Sequence, residues 1–284
     1  MKIMIDNDIS WSHKTEFKSG TFYLGDCLDV MTTLEPGSVD MVVTSPPYDN
    51  LRTYNDGDAW TFEVFKGVAT TISRVIKPGG VIVWNVADAT VRGSETGTSF
   101  RQALYFKDEC GLNLHDTMIW QKSTFSAVGS LQTRYAPVFE YMFVFCKGRL
   151  ATFNPIKDRP NKHAGVKHHG TVRQKDGSTV SVAGAKAGKE IAEFGQRFNV
   201  WNVNEEKSAN KDHPAVFPVA IPHDHILSWS DLGQIVLDPF AGSGTTAIAA
   251  INAGRKWICI ERDEGYYEKA VQRIKHHEER LKNA

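Results

Sequence analysis

The stretch Asp238-Pro239-Phe240-Ala241-Gly242-Ser243-Gly244-Thr245-Thr246 limits what this chain can fold into more than any other. It follows an apolar run at 235–237, which suits a buried strand, and opens a helical pattern at 244–253. Gly242 and Gly244 lack a Cβ, so the backbone there can turn sharply and approach a ligand closely. A second apolar run at 257–260 ends at Glu261, 19 residues after Gly242. A carboxylate about 20 residues beyond such a turn is where nucleotide-type α/β sites hold a ribose diol. Open α/β sheets bind ligands beyond the carboxyl ends of their strands, which is where both features fall. A phosphate-binding P-loop would need Lys before the Thr, whereas Gly244 precedes Thr245. A dinucleotide turn takes a third Gly where position 247 is Ala, although Gly-x-x-Ala variants exist. The plainer alternative, an ordinary strand-to-helix turn, leaves Asp238 and Phe240 beside the glycines unexplained.

A second motif, Thr44-Ser45-Pro46-Pro47-Tyr48, closes the apolar run at 39–44. Its chemistry suits an exocyclic amine on a nucleobase, whose lone pair is delocalised into the ring and is therefore a poor nucleophile. Hydrogen bonds accepted from both N–H groups favour an sp³-like nitrogen and free that lone pair. The Ser45 hydroxyl and the Pro46 carbonyl are suitable acceptors. Pro46 and Pro47 stiffen the turn and preorganise them. Tyr48 offers a flat face on which an extruded base can stack. A rigid strand-end turn with a packed Tyr is the other reading of the motif alone.

Between and around these motifs, strand-like and helix-like stretches alternate. Strands are expected at 39–44, 81–86, 114–120, 141–145, 235–237 and 257–260. Helices are expected at 60–76, stopped by Lys77-Pro78-Gly79-Gly80, and at 99–109, 219–229, 244–253 and 264–277. The pattern implies an α/β fold with a mostly parallel sheet and helices on both faces. With 284 residues, 41% of them hydrophobic, the chain can bury a full core without staples. The four cysteines are scattered without CxxC spacing, so neither a disulfide framework nor a zinc site is expected. The first 17 residues are polar and mixed in charge, and no apolar run nears the ~20 residues of a membrane span, so a soluble cytoplasmic protein is expected.

Lys+Arg and Asp+Glu both number 33, so formal net charge is zero and argues nothing for nucleic acid. The distribution argues more: residues 147–189 hold ten Lys or Arg against two Asp. Lys157, Arg159, Lys162, Lys167, Arg173 and Lys175 are the candidate phosphate contacts of this stretch. A solvated basic loop is its bland reading.

Taken together, Thr44–Tyr48 and Asp238–Thr246 resemble the paired signatures of amino-methyltransferases acting on DNA. The catalytic motif precedes the cofactor motif with the basic stretch between them, as in the permuted β-class of N4-cytosine and N6-adenine DNA methyltransferases. The resemblance covers nearly the whole chain and implies a Rossmann-like methyltransferase fold. It divides the chain into a catalytic half at 1–146, an inserted basic target-recognition region at 147–210 and a cofactor-binding half at 211–284. It implies S-adenosyl-L-methionine as cofactor, with Asp26 of Gly25-Asp26-Cys27-Leu28 on the cofactor's amino group. His213-Pro214-Ala215-Val216-Phe217-Pro218 would cradle the methionine portion. The implied cofactor-binding set is thus Asp26, Thr44, Pro214, Phe217, Asp238, Phe240, Gly242, Ser243, Gly244, Thr245 and Glu261. Asp116 to Lys122 is similar to the strand following the base pocket.

The implied substrate is double-stranded DNA, and no metal is needed, because methyl transfer from a sulfonium is a direct displacement. The resemblance leaves room for a homodimer and for a cognate restriction nuclease. Ser at position 45 favours cytosine N4 over adenine N6, since Asp or Asn is usual there in adenine enzymes. Protein glutamine-amide methyltransferases share the Pro-Pro-Tyr turn but have Asn at the Ser45 position and place the cofactor motif first. An inactive DNA-binding scaffold and an RNA substrate are further alternatives. Asp26 could equally cap a helix starting near Leu28, and His213, His223 and His225 read as surface or packing residues.

Overall fold

The computed structural model describes residues 13–47, 60–123, 133–167, 171–181, 188–204 and 218–283. Nine strands form one sheet. Their spatial order is His13–Glu16, Gly20–Leu24, Lys256–Glu261, Ile235–Asp238, Val39–Thr44, Ile76–Val86, Phe139–Cys146, Asn113–Gln121 and Val200–Asn202. The five from Gly20–Leu24 to Ile76–Val86 are mutually parallel. Phe139–Cys146 runs against both of its neighbours, and His13–Glu16 adds an antiparallel edge. The central strands carry nearly unbroken apolar runs because both of their faces are covered.

Side chains that alternate along the strands feed two cores. Met41, Val43, Val81 and Val83 pack under the helices Ala220–Trp229, Thr245–Asn252 and Glu264–Lys282. Val42, Ile82 and Trp84 pack under Cys27–Thr33 and Phe62–Val75 on the other face. The chain leaves Val39–Thr44 through the Phe62–Val75 helix and returns one strand over as Ile76–Val86. It leaves Ile235–Asp238 through Thr245–Asn252 and returns on the opposite side as Lys256–Glu261. Val39–Thr44 and Ile235–Asp238 are neighbours, so the connectivity reverses between them. Such a switch point opens a crevice at the carboxyl ends of the strands.

Two elements differ from the sequence reading. Lys77-Pro78-Gly79-Gly80 ends the helix, at Val75, as expected, but the strand expected at 81–86 begins at Ile76 and includes it. Ile76 pairs with Val39 and Val81 with Met41, so the intervening residues bulge out of the ladder, where Pro needs no N–H partner. Gly79 sits there at φ 81°, and a Cβ on it would lie 2.8 Å from the Ala151 Cβ. The helix expected at 99–109 is α-helical over Thr98–Leu104 and widens to a π turn over Tyr105–Glu109.

By its contacts the chain divides into two units. One comprises the residues up to Asn154 together with those from Asn199 onward, and the other is Pro155–Phe198. The separate unit lies within the 147–210 region that the resemblance implies. Lys147 and Ala151 hydrogen-bond to the Gly79–Gly80 bulge, and Val200–Asn202 adds a strand to the sheet, which ties both flanks to the first unit. No helix among the described residues is long and apolar enough to cross a membrane.

Candidate active site

Four parallel strands end side by side, and each delivers part of the site. Asp238, the last residue of its strand, is 2% exposed. Its Oδ1 accepts from Thr44 Oγ1 at 2.6 Å and from Phe240 N at 3.0 Å, and its Oδ2 accepts from Thr246 Oγ1 at 2.5 Å. Burial pushes the Asp238 carboxyl above its ordinary value, and the three donors pull the other way. The carboxylate therefore ties the end of Val39–Thr44, the turn after its own strand and the first turn of the next helix into one unit. These hydrogen bonds make Asp238 a brace of the site.

The turn itself needs its glycines. Gly242 and Gly244 take φ values of 50° and 75°, in the left-handed region that L side chains rarely adopt. At Gly244, which precedes the helix Thr245–Asn252, an added Cβ would also stand 3.0 Å from Ile274 Cδ1 of the C-terminal helix. That helix holds the turn in a second way. Arg273 Nη1 donates to Ser243 O at 2.9 Å, Ser243 Oγ at 3.1 Å and Thr245 Oγ1 at 3.0 Å. Phe240 lies edge-on to Trp60, with ring centres 5.2 Å apart, and to Trp84 at 6.3 Å.

Glu261 ends the next strand. Its Oε2 accepts from Gly242 N at 2.9 Å and its Oε1 from Asp263 N at 2.8 Å. Burial raises its carboxyl above the ordinary value, while the Asp263 and Gly242 amides oppose that shift. Each oxygen keeps a second lone pair, so the carboxylate can accept from a diol while it steadies the turn. One strand further, Gly25 N bonds to Glu261 O at 2.9 Å. That contact sets Asp26 beside Glu261, exposed, with Oδ1 accepting from Leu28 N at 2.8 Å as the cap of Cys27–Thr33. Capping occupies one oxygen and leaves the other for a ligand.

On the other side of Asp238, Ser45 and Pro47 are half-buried and Pro46 is buried. The structure thus brings Asp26, Thr44, Ser45, Pro46, Pro47, Asp238, Phe240, Gly242, Ser243, Gly244, Thr245 and Glu261 to one edge of the sheet. Tyr48, His213, Pro214 and Phe217 lie outside the described residues. His225 is fully buried, its ring stacked 4.4 Å from that of Trp201, which makes it a core residue.

Sequence reasoning missed Arg273 and a polar cluster on the adjoining strands, of which it had named only Lys122, as the end of the Asp116–Lys122 strand. In that cluster Asn85 Nδ2 donates to Glu140 Oε2 at 2.6 Å, and Lys122 Nζ stands 2.7 Å from Glu140 Oε1. No local pattern marks Asn85, Glu140 or Arg273. The cluster residues meet only because the sheet sets three strands side by side.

In the unit Pro155–Phe198, none of the described residues is fully buried. Lys157, Lys162, Lys167, Arg173 and Lys175 are exposed. Arg159 is half-buried, with its guanidinium 4.5 Å from the Phe198 ring centre and Nε bonded to Gln196 O at 3.1 Å. It holds the unit together more than it offers a free charge. Arg173 and Lys175 belong to a short hairpin in which Thr171–Arg173 pairs with Thr179–Ser181.

The N6/N4 DNA methylase family model matches residues 39–272. The orphan methyltransferase M.BamHII of Bacillus amyloliquefaciens is 46% identical over 262 residues, covering 89% of this chain and 91% of that protein. The fold is similar to that of the PvuII cytosine-N4-specific DNA methyltransferase, with a TM-score of 0.69 at 21% identity over 92% of this chain and 89% of that one. It is also similar to M1.HpyAVI in its complex with S-adenosylmethionine, with a TM-score of 0.59 at 20% identity over 89% of this chain and 98% of that one.

Proposed function

The chain belongs to the N6/N4 DNA methylase family, and from that premise we propose that it transfers a methyl group from S-adenosylmethionine to the exocyclic amino group of a DNA base, cytosine N4 ahead of adenine N6. The observation that carries this reading is the Thr44–Asp238 hydrogen bond of 2.6 Å. It joins the Ser-Pro-Pro turn and the glycine turn across the crevice at the switch point. A nucleophile held by the first turn is thereby set next to a ligand held by the second.

The residues present fit the cofactor. Glu261 supplies acceptor oxygens for a ribose diol, Asp26 an exposed carboxylate for an amino group, and Gly242 and Gly244 a backbone free of side chains. When bound, S-adenosylmethionine supplies a methyl group activated on a sulfonium. Ser45 Oγ and Pro46 O accept hydrogen bonds from the amine of the flipped base and localise its lone pair. The rigid Pro46-Pro47 backbone keeps those acceptors in place before the base arrives, so proximity and preorganisation supply most of the rate.

Ser45 supports cytosine over adenine. A hydroxyl is shorter than the carboxylate or amide that adenine enzymes usually carry there, so a ring must sit at a different depth to reach it. The exposed lysines and arginine of Pro155–Phe198 support double-stranded DNA as the partner of that unit, through phosphate contacts. The test is incubation of duplex DNA with labelled S-adenosylmethionine followed by nucleoside mass spectrometry. N4-methylcytosine is the expected product. Methyladenine alone would overturn the choice of base, and an unlabelled nucleoside pool would overturn the enzyme reading.

A further inference from the structure

A polar cluster is buried on the strands next to the one that ends in the Ser-Pro-Pro turn. Asn85 is 1% exposed and Glu140 6%. Side groups of this kind stay buried only when they are held by partners or have a task.

Alternation along the strands places the cluster on one face. Val43, Val83, Met142 and Met118 all belong to the same core, and Ser45, Asn85, Glu140 and Trp120 lie two residues from them in turn. Trp120 belongs to that core itself, and Lys122 follows it by two more residues. Thr44 pairs with Trp84, so Ser45 and Asn85 come next in register on adjacent strands. Trp120 pairs with Glu140 directly. From Ser45 outward, the carboxyl edge of the sheet thus carries a hydroxyl, a carboxamide, a carboxylate and an ammonium in order.

The chemistry of the cluster fixes one orientation. A carboxylate accepts hydrogen bonds and cannot donate them, so Glu140 holds the nitrogen end of the Asn85 carboxamide toward itself. Lys122 anchors the other Glu140 oxygen at 2.7 Å and rides over the Trp120 ring, 4.8 Å from its centre. The amide therefore cannot turn over. In cytosine and in adenine the exocyclic amine sits beside a ring nitrogen, which gives a donor next to an acceptor. A carboxamide offers the complementary acceptor and donor. A keto base presents the reverse pair, which an amide could match only by turning over.

Resting on the base-methylation reading above, we infer that Asn85 contacts the amine and ring-nitrogen edge of the flipped base, and that Glu140 and Lys122 are positioning residues that lock its amide to select amino bases over keto bases. The carboxamide adds a second polar contact beyond Ser45, and Glu140 supplies the discrimination.

The experiment uses the full chain. The methylated position is first mapped with wild-type enzyme on an unmodified duplex. Failure at that step would count against the function reading itself and so is distinguishable from failure of this inference. Binding is then compared between duplexes with cytosine or uracil at that position, for wild type, Asn85→Ala and Glu140→Gln. If the mapped base is adenine, hypoxanthine replaces uracil.

The wild type is expected to prefer the amino base on the order of 10-fold or more, the scale of one good bidentate contact. Asn85→Ala and Glu140→Gln should both lose most of that preference while keeping S-adenosylmethionine affinity, a change that a merely structural role would not produce. An unchanged preference in either variant that still binds cofactor overturns the inference. If both variants fail to fold, the wild type decides on a duplex whose target lacks the ring nitrogen, 3-deazacytosine or 1-deazaadenine. Weakened binding supports the contact with Asn85, and equal binding of the two duplexes overturns it.

Discussion

Thr44 and Asp238 stand 194 residues apart in the chain and 2.6 Å apart in space, hydroxyl to carboxylate, at the ends of the two strands where the sheet reverses its connectivity. One buried hydrogen bond thus couples the Ser-Pro-Pro turn to the glycine turn. Removing it should be felt in both. Thr44→Val keeps the shape and takes away a donor to a buried charge. A loss of about 1–3 kcal/mol in urea unfolding is expected, together with weaker S-adenosylmethionine binding by calorimetry. Full stability in the variant would mean that Phe240 N and Thr246 suffice to hold Asp238.

The raised carboxyl of Asp238 makes a signed prediction about pH. Its folded-state value lies above its ordinary one because burial disfavours the charge. It therefore contributes stability that is fully present below the ordinary aspartate value and is lost as pH rises through the raised one. Asp238→Asn has no such titration. Urea melts across that window should show the variant gaining on the wild type as pH rises. A gain in the opposite direction would place the Asp238 carboxyl below its ordinary value.

Glu261 and Arg273 hold the glycine turn from opposite sides, one through Gly242 N and the other through Ser243 and Thr245. Glu261→Ala should weaken S-adenosylmethionine by roughly 1–3 kcal/mol, the scale of a missing hydrogen bond to a charged group. Arg273→Met should weaken it less, by about 0.5–1.5 kcal/mol, because only the shape of the turn is affected. Calorimetry on both variants ranks them, and a larger loss at Arg273 would mean that it meets the cofactor itself.

Ser45→Ala should leave cofactor affinity intact and lower kcat by about 10²–10³, as when one preorganised acceptor or donor is removed from a transition state. Single-turnover methylation of a duplex under saturating cofactor measures this. Unchanged turnover would leave the Pro46 carbonyl as the sole acceptor from the turn.

Replacing the exposed Lys157, Lys162, Lys167, Arg173 and Lys175 with Gln should weaken DNA binding and reduce its salt slope by about 0.9 for each phosphate no longer neutralised. Cofactor affinity should not change. Fluorescence anisotropy of a labelled duplex across a salt series reads the slope, and a slope equal to that of the wild type would make the unit a solvated surface. Arg159 is left in place because its interactions with Phe198 and Gln196 support the unit.

The two turns were readable because each is a local object. An apolar run followed by Gly242-Ser243-Gly244, or by Pro46-Pro47, announces its backbone conformation within a few residues, since glycine frees φ and proline fixes it. The strands at 39–44, 235–237 and 257–260 were legible for a similar reason, because a strand covered on both faces is apolar throughout. The start of the strand at Ile76 was not legible because the breaker chemistry of Lys77–Gly80, which does stop the helix, is also what a bulge requires, and only pairing with Val39 and Met41 shows the bulge.

Asp238 reads in the sequence as a ligand contact, and only the fold shows that its hydrogen bonds with Thr44, Phe240 and Thr246 also make it a brace. Arg273 and the Asn85–Glu140 pair have no signature in the chain at all, since 28 or more residues separate Arg273 from the turn it grips and 55 separate Asn85 from Glu140. The kinds of chemistry present at this site were determined by the sequence, through residue types held in short rigid turns. Which of those groups face a ligand and which brace the ones that do was decided by the order of the strands, because hydrogen bonds act over about 3 Å and the chain brings its distant segments that close only by folding.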